Sequence, residues 1–171
     1  MLGSLEILLL VLFPVLMAYA AASDLLTMTI PNRLSLALIA GFVLLACLGG
    51  LGTHAVLLHL AAGGAVLAVT FAMFAFGWIG GGDAKLAAAT ALWLGFGSLA
   101  DYLFIATLAG GVLTLGILAL RALPLPGFAL GWAWLSRMHD RRSGVPYGIA
   151  LAAAALAVYP QSEIWTAALA R

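Results

Sequence analysis

The stretch Gly80-Gly81-Gly82-Asp83-Ala84-Lys85 stands between two long apolar runs. A carboxylate and an ammonium lie two residues apart, beside three positions that carry no side chain. Ionisable groups at membrane depth are costly and usually mark a functional site. Consecutive glycines also let another backbone come close to the carboxylate. The runs on either side are part of a chain of 171 residues that is 65% hydrophobic and 8% charged, with a mean hydropathy of +1.20. No soluble domain of this size has that composition. The expected fold class is therefore an all-α, polytopic membrane protein with the lipid bilayer as its surroundings.

Upstream of the glycines, residues 54–78 form the longest apolar run, with Phe71, Met73, Phe74, Phe76 and Trp78 as packing and an interfacial belt. Gly49-Gly50-Leu51-Gly52 reads as a turn, and residues 34–48 as a span before it. Ile30-Pro31-Asn32 closes a short connection. Pro31 stops a helix arriving from upstream and pushes Ile30 to an extended conformation. Asn32 is then expected to cap the next helix through its side-chain oxygen. Residues 4–22 supply the first span, about the ~20 residues a bilayer needs, and it ends in Ser23-Asp24. Its alanine-rich end resembles a signal-peptide cleavage site. The charge before it is Glu6 and no positive region precedes it, so a retained helix is expected.

Downstream, residues 84–94 are too few to cross a ~30 Å hydrocarbon core unaided at ~1.5 Å per residue. Either the helix continues through Gly95-Phe96-Gly97-Ser98, or Asp83 lies below the membrane surface. Residues 102–120 form a fifth span. Residues 121–144 contain Pro124, Pro126, Trp132, Trp134, Arg137, Asp140, Arg141 and Arg142, the pattern of an interfacial segment with an aromatic anchor. A last span opens at Val145-Pro146 and ends near Tyr159-Pro160, with an interfacial tail to Arg171. The expectation is six transmembrane helices in one domain, residues 1–171. With six spans, Arg33, Lys85, Arg121, Arg137, Arg141 and Arg142 share one side and Arg171 has the other. The positive-inside rule then puts both termini outside, with Asp24 and Asp83 at the cytoplasmic face.

The net charge of +1 gives no basic footprint for nucleic acid. Cys47 is the single cysteine, which excludes an internal disulfide and a Cys-x-x-Cys zinc site. His54, His59 and His139 have no metal-ligand spacing and are expected at the membrane interface. No metal and no cofactor are expected.

Two carboxylates on one membrane face can form an aspartic dyad that shares one proton. The charged member takes a proton from water and the neutral one donates to the scissile carbonyl oxygen. Asp83 can also simply cap the helix it opens. Asp24 is harder to explain that way, because it ends a helix, where the dipole disfavours an anion. Salt bridges to Arg33 or Lys85 and a transporter's proton relay are the other readings. Asp140 is expected to pair with its neighbouring arginines.

Gly80-Gly-Gly-Asp83-Ala-Lys85 resembles the GxGD motif of intramembrane aspartic peptidases. Asp24 followed by Ile30-Pro31-Asn32 is similar to the first motif of the type IV prepilin leader peptidases. Val145-Pro146-Tyr147-Gly148-Ile149-Ala150 resembles a segment of their short Tad-type, or CpaA-type, branch. Together the three motifs span nearly the whole chain. The resemblance implies a GxGD peptidase fold and an aspartic endopeptidase with Asp24 and Asp83 as its catalytic residues. It would cut leaders from Flp-type prepilins at the cytoplasmic face of the bacterial inner membrane, beside the pilus assembly machinery. The longer members add an N-terminal domain with paired Cys-x-x-Cys motifs that methylates the new terminus; this chain lacks those cysteines, so methyl transfer is not expected. Basic residues common before Ile-Pro-Asn are replaced here by Leu26, Thr27 and Met28. Lys85 reads as a snorkelling lysine. Pro146 and Gly148 are equally well read as helix initiation and packing, and neither is assigned to catalysis. A small proton-coupled transporter using the same aspartates is the alternative function, although both sit at one face and no inverted repeat is visible. A structural subunit of a membrane assembly is a third.

Overall fold

A computed structural model describes residues 4–125 and 131–169. Pro126 and Arg171, which entered the sequence reading, lie outside the described residues. All regular structure among the described residues is helical: α1 Ser4–Thr27, α2 Asn32–Leu48, α3 Thr53–Ala75, α4 Gly81–Ala122, α5 Ala133–His139, α6 Gly148–Val158, a 3₁₀ turn Tyr159–Gln161, and α7 Glu163–Leu169. Three stretches are long and apolar enough to cross a membrane: Leu10–Thr27, Thr53–Ala75 and Gly81–Ala122. The apolar helix α2 is shorter, at 17 residues. At 11 residues α6 spans only ~16 Å, short of the full last span expected.

The end of α1 differs from expectation in a way that matters. The helix runs on to Thr27, so Asp24 stands inside its last turn. The stop comes from Met28, at φ 55°, whose N–H still bonds to the Asp24 carbonyl at 2.8 Å. A left-handed residue ends a helix this way, normally as glycine. Here hydroxyls hold the turn. Ser23 Oγ donates to the Thr29 carbonyl at 2.8 Å, and the Thr27 and Thr29 hydroxyls meet at 2.6 Å. Pro31 then takes the extended conformation of an N-cap, with φ −64° and ψ 139°. Asn32 does not cap α2 with its side chain. Its Oδ1 accepts a hydrogen bond from Lys85 Nζ at 2.9 Å.

The α4 range hides a break. Gly95 has φ 63° and ψ −179°, a region open essentially to glycine alone. Along a straight helix Asp83 and Thr107 would be ~36 Å apart, yet they line one cavity. The chain therefore doubles back at Gly95, and residues 81–94 lie beside residues 96–122. The expectation that the fourth helix continues straight through Gly95 is not met: the break at Gly95 ends it. The break leaves the last carbonyls of the first half without helical partners. His59 fills that gap. It is 2% exposed, and its Nδ1 lies 2.8 Å from the Leu92 carbonyl. A carbonyl only accepts, so Nδ1 carries the proton. The expectation of an interfacial His59 is thus wrong: the residue is buried because it caps an internal helix end.

The first half of α4 is the centre of the bundle, with α1, α2, α3 and α6 around it. Trp93, Phe13 and Tyr159 are fully buried together, with Phe13 centroids 5.1 Å from Trp93 and 4.4 Å from Tyr159. Their polar atoms are satisfied by backbone. Trp93 Nε1 donates to the Leu38 carbonyl at 2.8 Å, and the Tyr159 hydroxyl to that of Leu10 at 3.1 Å. Tyr and Trp normally find such partners when buried. The first bond ties α2 to the central helix, and the second ties the turn after α6 to α1.

Candidate active site

Asp83 sits three residues after the Gly80 N-cap of α4. Its carboxylate reaches back to accept the Gly80 backbone N–H, which is one half of a capping box. The helix-capping reading of Asp83 is therefore structurally real. It does not use up the side chain, because a carboxylate has about four acceptor positions.

Asp24 is 6% exposed, at the inner side of the last turn of α1. Its Oδ2 accepts the Gly148 N–H at 2.7 Å. Gly148 is the first residue of α6, so this N–H is one that the helix leaves unpaired. An anion at a helix N-terminus also meets the favourable end of the dipole. This answers the objection that Asp24 ends a helix of the wrong polarity: the N-terminus of another helix supplies the compensation.

The two carboxylates line one cavity of about 280 Å³, together with Met28, Thr29, Ile30 and Gly80, Gly81 and Gly82. They are close enough to interact electrostatically. Ile30 roofs the site. A Cβ on Gly82 would lie 3.2 Å from Ile30 Cβ, and a Cβ on Gly148 would lie 2.7 Å from Ile30 Cδ1 and 2.8 Å from Asp24 Oδ2. Glycine at 148 is thus needed for Asp24 to reach the backbone N–H. Gly148→Ala is expected to push Asp24 off this bond and to lower any turnover that needs Asp24 in place at least ~10-fold, as mispositioning by ångströms does. Turnover at matched protein levels checks this.

The basic residues gather at the same end. Arg121 donates through Nε to the Met138 carbonyl at 2.7 Å and through its second terminal nitrogen to Ser143 and Gly144 at 2.9 and 3.0 Å. Arg137 donates to the Leu26 carbonyl at 2.7 Å. These bonds hold the segment leading into Gly148 against the ends of α1 and α4. Asp140 closes the turn after α5, its Oδ1 accepting the Arg142 backbone N–H at 2.9 Å. Lys85 bonds to Asn32 and does not line the cleft of Asp24 and Asp83. Trp132 and Trp134 stack with centroids 6.1 Å apart.

Among the described residues no three His, Cys, Asp or Glu side chains are placed to hold a metal. The site is built of two carboxylates, glycine backbone and a roof of Ile30.

A profile of the type IV leader peptidase family matches residues 11–115. The chain belongs to this family. The match takes in Asp24, Ile30-Pro31-Asn32 and Gly80-Gly81-Gly82-Asp83 and ends before Tyr147 and Gly148. Neither a search of curated proteins nor one of solved structures found a match. Family membership and the long apolar helices make this a membrane protein and a peptidase of the leader-peptidase type. For a leader peptidase, the residue that sequence reasoning left unassigned is Gly148. Its signal was present in Pro146-Tyr147-Gly148, but a hydrogen bond across 124 positions leaves no local pattern.

Proposed function

We propose that this chain is a membrane-embedded aspartic endopeptidase that removes the leader from type IV prepilins of the Flp/Tad kind. The observation that carries this is the shared cavity of Asp24 and Asp83 in a leader peptidase. A water held between the carboxylates loses its proton to the charged one. The neutral one donates to the scissile carbonyl oxygen as the tetrahedral intermediate forms. The proton taken from water then passes to the departing amine. Gly148 fixes Asp24 through its N–H, and Gly80–Gly82 leave backbone open beside Asp83 for an extended substrate. Protein purified in detergent should cut a prepilin; proton-driven flux in vesicles without cleavage would favour a relay instead.

The crossings that suit this reading are α1, α2, α3, both halves of α4, and α6 with its flanking turns. Together they make the six-helix GxGD arrangement. The cytoplasmic face of the bacterial inner membrane is the side assigned to the site, because the arginines gather there. Cys47 is exposed and must first be replaced by serine. A cysteine at position 52 should then be labelled from outside, and one at position 143 only from the cytoplasm. The reverse pattern would put the site on the wrong side for a leader.

Chelators should leave cleavage intact, since a zinc site needs three or four ligands. Loss of cleavage on chelation, restored by added metal, would contradict the dyad chemistry.

A further inference from the structure

Asp83 borders two cavities that differ in polarity. The first is the cleft shared with Asp24, with glycine backbone and Thr29 in its walls. The second, of about 290 Å³, lies between α3, both halves of α4 and the start of α6. Its walls are Val69, Met73, Leu103, Ala106 and Leu151, with Asp83 and Tyr147 beside them. Val69 is 62% exposed and Leu103 40%, so this groove is open along its side toward the surroundings of the bundle. Small residues in the lining, Ala65, Ala87 and Ala106, allow a helix to approach closely, as at helix interfaces in membranes.

We propose that this groove seats the hydrophobic segment immediately after the scissile bond, while the leader lies in the cleft over Gly80–Gly82. The inference rests on the leader-peptidase reading and adds the place and direction of the substrate. On that reading, the substrate passes from a polar leader to an apolar segment at the bond that is cut. The enzyme's surface makes the same change at Asp83. Matching the two boundaries places that bond beside the carboxylate. Tyr147 keeps the groove's shape: its ring packs on Gly110, where a Cβ would clash with it, and its hydroxyl donates to the Ala106 carbonyl at 3.2 Å.

A rival groove exists and is larger, at about 500 Å³. It opens because α2 and α3 both pack on α4 but scarcely on each other. Leu36 and Leu60 line it and Lys85 lies at one end. Neither aspartate lines it, and a helix there would have the first half of α4 between it and the cleft.

The test uses the full chain in proteoliposomes, with a full-length prepilin as probe. A photocrosslinking side chain is placed at Val69 or Leu103, and in parallel at Leu36 or Leu60, in an Asp24→Asn background that leaves the groove intact. Crosslinks are expected at 69 and 103, mapped by mass spectrometry to the first two turns after the scissile bond. Crosslinks at 36 and 60 in their place, or crosslinks from 69 and 103 to the leader, would overturn the proposal. A kinetic arm reads the same groove in active protein. Ala65 is exposed, so Ala65→Phe fills the groove without disturbing the core. KM for the prepilin should rise about tenfold with kcat little changed, while cleavage of a soluble peptide ending shortly after the bond is unaltered. An equal loss on both substrates would also overturn it. Crosslinking at 69 and 103 with no cleavage by the unsubstituted chain would sink the peptidase reading and leave the groove standing.

Discussion

Asp24→Asn and Asp83→Asn are each expected to lower leader cleavage by at least ~10³-fold, the scale of lost general acid–base catalysis, with the protein still inserted and accumulating. Asparagine keeps the shape of each side chain. At position 83 its carbonyl oxygen can still accept the Gly80 N–H, and at position 24 that of Gly148. Asparagine also caps helices about as well as aspartate. It cannot take a proton from water or share one with its partner. A structural role therefore predicts near-normal cleavage in these variants, and a catalytic role predicts almost none. The double variant should be no worse than either single one, because residues acting as a unit are not additive. Asp101→Asn and Asp140→Asn should retain most activity. Asp101 lies toward the other end of the second half of α4, and Asp140 serves a turn.

Gly95→Ala should have the largest effect on stability. Its φ of 63° with ψ near 180° costs a residue with a side chain ~1–3 kcal/mol. The added Cβ would also lie 2.8 Å from the His59 ring. That ring cannot move freely, since it bonds to the Leu92 carbonyl and lies 5.4 Å from the Phe42 ring. Displacing it leaves a buried carbonyl unsatisfied, at a further ~1–3 kcal/mol. A loss of roughly 3 kcal/mol or more is expected, read as a lower melting temperature in detergent and poor accumulation. Gly111→Ala meets nothing within 4 Å and should be close to neutral. Equal melting temperatures for the two variants would mean that the reversal at Gly95 is not a fixed feature of the fold.

Fold and site differ in how far they were legible in the sequence. Composition alone pointed to an all-helical membrane chain, and Asp24, Ile30-Pro31-Asn32 and the glycine-flanked Asp83 pointed to the family that residues 11–115 match. Those signals are local, carried by residue type and short spacing. What stayed hidden depends on distant parts of the chain meeting. Gly95 was read as a position the fourth helix could continue through, and its positive φ has no signature beyond glycine itself. His59 looked interfacial because its partner, the Leu92 carbonyl, is freed only by that break. Asn32 sat where a capping residue belongs, but Lys85 competes for its oxygen. Asp24 seemed electrostatically misplaced until α6 arrived with the Gly148 N–H. The end of α1 lies past expectation, where Met28 stops the helix in a conformation that side chains usually avoid.

The most direct measurement is mass spectrometry of a prepilin after incubation with the purified chain, beside a parallel incubation with Asp83→Asn. The unsubstituted chain should give one new N-terminus, at the junction of leader and hydrophobic segment, and the variant should leave the prepilin whole. A prepilin left intact by the unsubstituted chain, or cut equally by both, would contradict the account.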